Sequence, residues 1–188
     1  MRCSLLVCQI FLAGLYIVPV WAQQAPKQRT VTYLSLEEAL HEAFPEAHHF
    51  AQDTFRLSPE QIQQARQRLH VRQMDSLYVI HLAYDSTGAL LGYALVLNEV
   101  GKYEPITFLV AITPELRVKQ VAIMVYRENR GGEIRMPRFL YQYRDKTLAD
   151  PIRTRRDIIN ISGATLSVRA VNRGVRKALF VLNAYTHS

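Results

Sequence analysis

Residues 77–85, LYVIHLAYD, and residues 89–100, ALLGYALVLNEV, flank the tripeptide Ser86-Thr87-Gly88. Both runs are rich in β-branched and aromatic residues, and a turn signal separates them, so the stretch predicts two strands of a hairpin. The pattern continues downstream. Gly101-Lys102-Tyr103-Glu104-Pro105 precedes ITFLVAI (106–112), Thr113-Pro114-Glu115 forms another turn, and VKQVAIMVY (118–126) follows. Four short runs joined by short turns predict an antiparallel meander, because parallel strands need long crossovers.

Helical grammar flanks this sheet. Upstream, Ser35 with Glu38, and Ser58 with Gln61, each complete a capping box. Pro45 should stop the first helix near Phe44, and Pro59 suits the first position of the second, which continues through QQARQRLHV (63–71). Leu57 and Ile62 are placed to form a hydrophobic staple. Phe139, Leu140 and Tyr143 suggest a short amphipathic helix. At the C-terminus, Val168, Val171, Val175, Ala178, Leu179, Leu182 and Tyr185 recur at helical spacing. Arg169, Arg173, Arg176 and Lys177 fall on the other side, which predicts an exposed basic face. The expected fold is α+β: an antiparallel sheet meander with N-terminal helices and a C-terminal amphipathic helix packed on it.

The chain has 188 residues, of which 49% are hydrophobic and 21% charged. That is enough for one domain with its own core. The two cysteines, Cys3 and Cys8, lie in the first ten residues. The body of the chain therefore has no thiols for a disulfide scaffold, a ferredoxin-type cluster or a thiolate zinc site. Residues 1–22, MRCSLLVCQIFLAGLYIVPVWA, have the form of a signal peptide, or of a membrane anchor if left uncleaved. Either reading predicts a periplasmic or otherwise extracytoplasmic protein. Residues 23–30 are a polar tether, 31–75 an N-terminal helical part, and 76–188 the main domain.

The formal charge is +7, from 23 Lys+Arg against 16 Asp+Glu. Without a recognised binding motif, no nucleic-acid partner is expected. The basic residues fit a ligand phosphate, a membrane surface or an acidic redox partner, and a merely solvated helix face fits equally well. His48-His49 is expected to be a solvated helix end rather than a metal site. The sequence around Ser162 and Ser167 lacks a Gly-x-Ser-x-Gly elbow, which argues against a hydrolase nucleophile.

The chemistry concentrates in ISGATLS, residues 161–167, directly before the last helix. Gly163 permits close backbone approach or unusual dihedrals. Thr165 and Ser167 bring hydroxyls to the mouth of a helix, where free N–H groups favour an anion. Arg153, Arg155, Arg156 and Arg169 stand nearby. The set suits a phosphate, although alone it also describes an ordinary helix start.

ISGATLS followed by an amphipathic helix resembles the FMN-binding domain family, which includes flavin-carrying subunits of the sodium-translocating NADH:quinone reductase and Rnf complexes and exported single-domain proteins. Gly101-Lys102-Tyr103-Glu104-Pro105-Ile106 and Tyr126-Arg127-Glu128-Asn129-Arg130-Gly131-Gly132 are similar to that family's turn and Gly-rich loop, in the same order. The resemblance implies FMN as cofactor, joined through a phosphoester to Thr165 by an exported FAD:protein FMN transferase that uses magnesium. It implies a site built from Ser162, Gly163, Ala164, Thr165, Leu166, Ser167, Tyr103, Glu128, Arg130, Gly131 and Gly132. Tyr103 and the 127–133 loop would wall one side of the flavin and Leu166 the other, with Glu128 bonding to the flavin or orienting Arg127 or Arg130. The family often has an acidic residue three positions before the motif serine. Ile159 stands there in this chain, and Asp157 is the carboxylate in a shifted register. The implied role is an electron-transfer component, served by a membrane-bound electron donor or acceptor, rather than a stand-alone enzyme. The alternatives are a noncovalent flavin reductase and a flavin-free sensor or assembly module.

Overall fold

The computed structural model describes residues 30–188, so the expected signal or anchor and all but the last residue of the tether lie outside the described residues. The elements, in order, are β1 (Val31–Thr32), α1 (Leu36–Ala43), β2 (His49–Arg56), α2 (Pro59–Leu69), β3 (Leu77–Tyr84), β4 (Leu90–Val100), β5 (Pro105–Ile112) and β6 (Val118–Tyr126). A 3-10 turn at Gly132–Arg135, α3 (Pro137–Leu140) and a second 3-10 turn at Tyr141–Tyr143 follow, and α4 (Thr165–Thr186) ends the fold.

The strands form one antiparallel six-stranded sheet in the order β1-β6-β5-β4-β3-β2. The predicted meander is its centre. The segment 31–75, expected to be helical, also supplies both edge strands. The histidine pair is correspondingly not a helix end: His49 opens β2 and stacks its ring on Tyr84 at 5.0 Å.

Both capping boxes form as the sequence predicts. Ser35 N–H donates to Glu38 Oε2 at 2.7 Å while Ser35 Oγ accepts from Glu38 N–H, and Ser58 and Gln61 do the same. The second helix ends slightly early, where His70 adopts a left-handed conformation. Leu57 and Ile62 join the same core cluster. The short helix around Phe139 is realised as α3 running into a 3-10 turn, with Phe139 and Tyr143 buried.

The sheet has two covered faces. On one, Ala39, Leu40 and Ala43 of α1, with Phe44 just after it, pack over Ala83, Ala94, Leu109, Ala111 and Met124. On the other, α4 and α2 bury the larger cluster, which includes Leu95, Phe108, Val110, Val171, Val175, Leu179 and Leu182. The apolar stripe read from the sequence is the buried face of α4, and Tyr185 at its end is half-buried. The basic face needs correction. Lys177 is only 7% exposed and ion-pairs with Glu99 of β4, which also takes Arg173 Nε at 3.0 Å. Buried charges persist when paired, so part of the basic stripe belongs to the core rather than the surface.

Gly174 sets how closely α4 approaches the sheet. A Cβ there would lie 2.3 Å from Phe108 Cζ, on a fully buried ring. Gly174→Ala should therefore displace the ring or the helix and lower stability by about 1–3 kcal/mol. Chemical denaturation checks this, and the paired variant Gly174→Ala/Phe108→Leu should recover part of the loss.

Candidate functional site

Three segments that are distant in sequence meet at the N-terminus of α4. They are the β4–β5 turn, the loop after β6 and the ISGATLS stretch. Together they line a cleft of about 500 Å3 with Lys102, Tyr103, Glu128, Asn129, Arg130, Gly163, Ala164, Thr165, Leu166 and Ser167. Eight of the expected residues are thus neighbours: Tyr103, Glu128, Arg130, Gly163, Ala164, Thr165, Leu166 and Ser167. Lys102 and Asn129 also line the cleft, beyond the set implied by the resemblance.

The remaining three stand elsewhere. Gly131 and Gly132 do not line the cleft and lie against Tyr126. Gly131 has φ 88°, and a Cβ on it would come within 2.7 Å of the Tyr126 hydroxyl and 3.2 Å of Ala164 Cβ. Only glycine fits both the conformation and the space. Ser162 faces a separate depression, with Met136, Ile159, Asn160 and Ile161.

α4 begins without a side-chain cap, since Ala164 holds the cap position. Thr165, Leu166 and Ser167 are its first three residues, and their N–H groups have no intrahelical acceptor. The two hydroxyls diverge. Ser167 is buried, and its Oγ lies 3.0 Å from the Tyr126 hydroxyl. Thr165 is half-exposed, and its Oγ1 accepts a 2.8 Å hydrogen bond from Asn160 Nδ2. Of the pair, Thr165 is therefore the hydroxyl presented to a ligand. The partners Asn160 and Tyr126 escaped sequence reasoning. A tyrosine ending a buried strand needs a polar partner for its hydroxyl, and that was the available signal for Tyr126.

Tyr126 also donates to Arg130 O. Burial raises its pKa above the ordinary value against the opposing effect of the Ser167 hydrogen bond, so it stays a neutral donor. Glu128 orients the β4–β5 turn rather than Arg127 or Arg130. Its Oε1 accepts from the N–H groups of Lys102, Tyr103 (2.8 Å) and Glu104 (3.3 Å). It therefore folds the β4–β5 turn around one carboxylate oxygen. Arg127 instead donates to Pro105 O and Thr107 Oγ1, both at 2.9 Å. Tyr103, carried on the turn that Glu128 holds, is 72% exposed, and Leu166, which lines the same cleft, is 43% exposed.

Asp157, the carboxylate in the shifted register beside Ile159, is engaged by the fold. Its oxygens accept from Ile152 N–H at 3.0 Å and Arg153 N–H at 2.9 Å, and Lys146 Nζ lies 3.0 Å away. The carboxylate thereby holds Ile152 at φ 44°, a conformation that a β-branched residue adopts only under constraint. Its work is to anchor the loop leading to the motif.

Burial acts to raise the Asp157 pKa, but the hydrogen bonds from Arg153, Lys146 and Ile152 outweigh it, so the folded value lies below the ordinary 3.8. A depressed carboxyl contributes stability that is complete above its unfolded value and lost as pH falls through the folded value. Melting temperature should therefore drop below about pH 4, and Asp157→Asn should flatten that limb. An unaltered acid limb in the variant would remove Asp157 from this account. For Glu128, replacement by Ala should speed hydrogen exchange at the Lys102, Tyr103 and Glu104 amides by about tenfold or more. Unchanged exchange would contradict the turn-holding role.

Comparison with known proteins gives the site its context. The family model described as FMN-binding domain matches residues 101–180, a span that contains all three segments of the cleft. NqrC of Shewanella oneidensis, known from a crystal structure, is similar in fold with a TM-score of 0.53. It is 16% identical, over 79% of this chain and 88% of that one. No curated protein matches the chain. Residues 101–180 thus match the FMN-binding domain family, and the cofactor that this match indicates is FMN.

Proposed function

We propose that this protein is an exported electron carrier that holds FMN through a phosphoester to Thr165. The observation that carries the reading is the Thr165 hydroxyl itself, half-exposed in the 500 Å3 cleft at the uncapped start of a 22-residue helix. The residues fit the group. The free N–H groups of Thr165, Leu166 and Ser167 and the helix dipole favour a phosphate at that position. Exposed apolar surface on Tyr103 and Leu166 in the cleft suits a planar ring system. Bound FMN would supply the redox chemistry, since a flavin accepts two electrons and can release them singly.

The chain's own residues would bind and orient. Tyr126 and Gly131 keep the Gly-rich loop against the first turn of α4. Glu128 holds the Tyr103 turn, and Asp157 fixes the approach to the motif. Loading from FAD would join Thr165 Oγ1 to the FMN phosphorus as the bond between the two phosphates breaks and AMP leaves. Asn160, the side chain hydrogen-bonded to Oγ1, cannot accept the hydroxyl proton, so the transferase supplies the base. A covalent bond suits an extracytoplasmic carrier, where lost FMN could not readily be replaced. A membrane-bound partner would give or take the electrons.

A second reading, noncovalent FMN in the same cleft, draws support from Ile159. It occupies the position where the family often has an acid, and it is 78% exposed. The two readings separate on denaturation. After co-expression with an active flavin transferase, the covalent reading expects flavin fluorescence to stay with the denatured chain and to vanish in Thr165→Ala, with the fold retained. Release of all flavin from the native chain on denaturation would select the noncovalent reading, and retention by Thr165→Ala would refute the assignment of Thr165.

A further inference from the structure

A second concavity lies further along α4. Arg153, from the loop before the motif, and Arg169, Arg173 and Arg176 of the helix line a space of about 570 Å3 together with Leu69, His70, Thr154 and Asn172. It shares no lining residue with the cleft around Thr165. Four guanidinium groups therefore converge outside the site already described.

Two of the four are tied down. Arg173 donates through Nε to Glu99 and through Nη2 to Val100 O at 2.7 Å. Arg176 donates through Nη1 to Leu69 O at 2.7 Å and through Nε to Asn172 O at 3.4 Å. Each thus commits two of its five N–H donors to the fold and keeps the others. Among the described residues, no carboxylate lies within ion-pair distance of Arg153, Arg169 or Arg176. Glu99, which does reach Arg173, is shared with Lys177.

The four charges are therefore gathered with Glu99 as the one carboxylate paired with any of them among the described residues. Burial, and after it the nearness of Arg153 and Arg173, holds the Arg176 guanidinium below its ordinary pKa. Solvated arginines would splay apart to relieve such repulsion, but Arg173 and Arg176 are held by backbone carbonyls. Two anchored forks flanked by two unanchored ones around a concavity complement a compact, multiply charged oxyanion, since guanidinium N–H pairs match phosphate oxygens.

We propose that the concavity formed by Arg153, Arg169, Arg173 and Arg176 binds a phosphate group that is separate from the FMN phosphate and belongs either to a soluble ligand or to a phospholipid headgroup. The inference does not depend on flavin attachment. It holds for the loaded chain and for Thr165→Ala alike, so its failure and the failure of the flavin assignment are separable.

The test titrates the full chain, flavin-loaded and Thr165→Ala, with pyrophosphate at ionic strength held constant with chloride. The backbone amides of residues 153, 154 and 169–176 are followed by NMR. Saturable shifts are expected in both proteins. Arg153→Gln/Arg169→Gln, which removes side chains that make no hydrogen bond within the fold, should weaken binding by about tenfold or more and leave thermal stability unchanged. Sedimentation with phosphatidylglycerol vesicles, but not phosphatidylcholine vesicles, competed by pyrophosphate and lost in the double variant, would assign the headgroup as source. Pyrophosphate binding without vesicle binding would assign a soluble phosphate. No saturable pyrophosphate response, or one undiminished in the double variant, overturns the proposal. So does saturable binding of a hexaglutamate peptide without binding of pyrophosphate, which would mark an acidic-protein surface instead.

Discussion

The Tyr126 hydroxyl lies between Arg130 O and Ser167 Oγ, at the junction of the last strand, the Gly-rich loop and the first turn of α4. Those three parts come from different stretches of sequence, and nothing in their local propensities would bring them together. The neutral phenol, kept so by burial, offers one proton and accepts another, and thereby fixes the loop to the helix. Gly131 is the complement of this arrangement, because any side chain there would collide with the same hydroxyl. The cleft around Thr165 exists because of this contact.

The division of labour between the two hydroxyls of the motif follows from it. Ser167 is turned inward to Tyr126 and serves the fold, which leaves Thr165 facing the cleft. A similar division applies to charge. Glu128 and Asp157 each fold a loop by accepting backbone N–H groups, and Glu99 neutralises Lys177 and Arg173 beneath α4. Carboxylates close to the functional regions are thus largely spent on structure. The arginines around α4 retain unspent donors.

Much of this was legible in the sequence. The meander from β3 to β6 shows itself through apolar, β-branched and aromatic runs, with turn residues at each reversal. The capping boxes at Ser35 and Ser58 and the apolar stripe of α4 are equally local signals. β2 was not legible, because an edge strand with one neighbour buries little. HFAQDTFR spaces Phe50 and Phe55 an odd number of residues apart, so that they serve opposite faces. β1 has two residues and no pattern. At the site, the ISGATLS stretch was readable because its small residues and hydroxyls sit next to a helix. The roles of Glu128 and Asp157 were not, since their partners are backbone N–H groups, which every sequence offers equally. Lys177 looked exposed because its helical position borders the basic side, and only the facing Glu99 of β4 explains its burial.

The central claim is that the Thr165 hydroxyl carries the flavin nucleotide. Mass spectrometry of trypsin-cleaved protein purified from its native host tests it most directly, because cuts after Arg156 and Arg169 isolate Asp157–Arg169. The account predicts that this peptide is heavier by one FMN less one water, with fragmentation locating the addition on Thr165 rather than on Ser162 or Ser167. Flavin-bearing protein in which this peptide is found only unmodified, or modified at either serine, would contradict it.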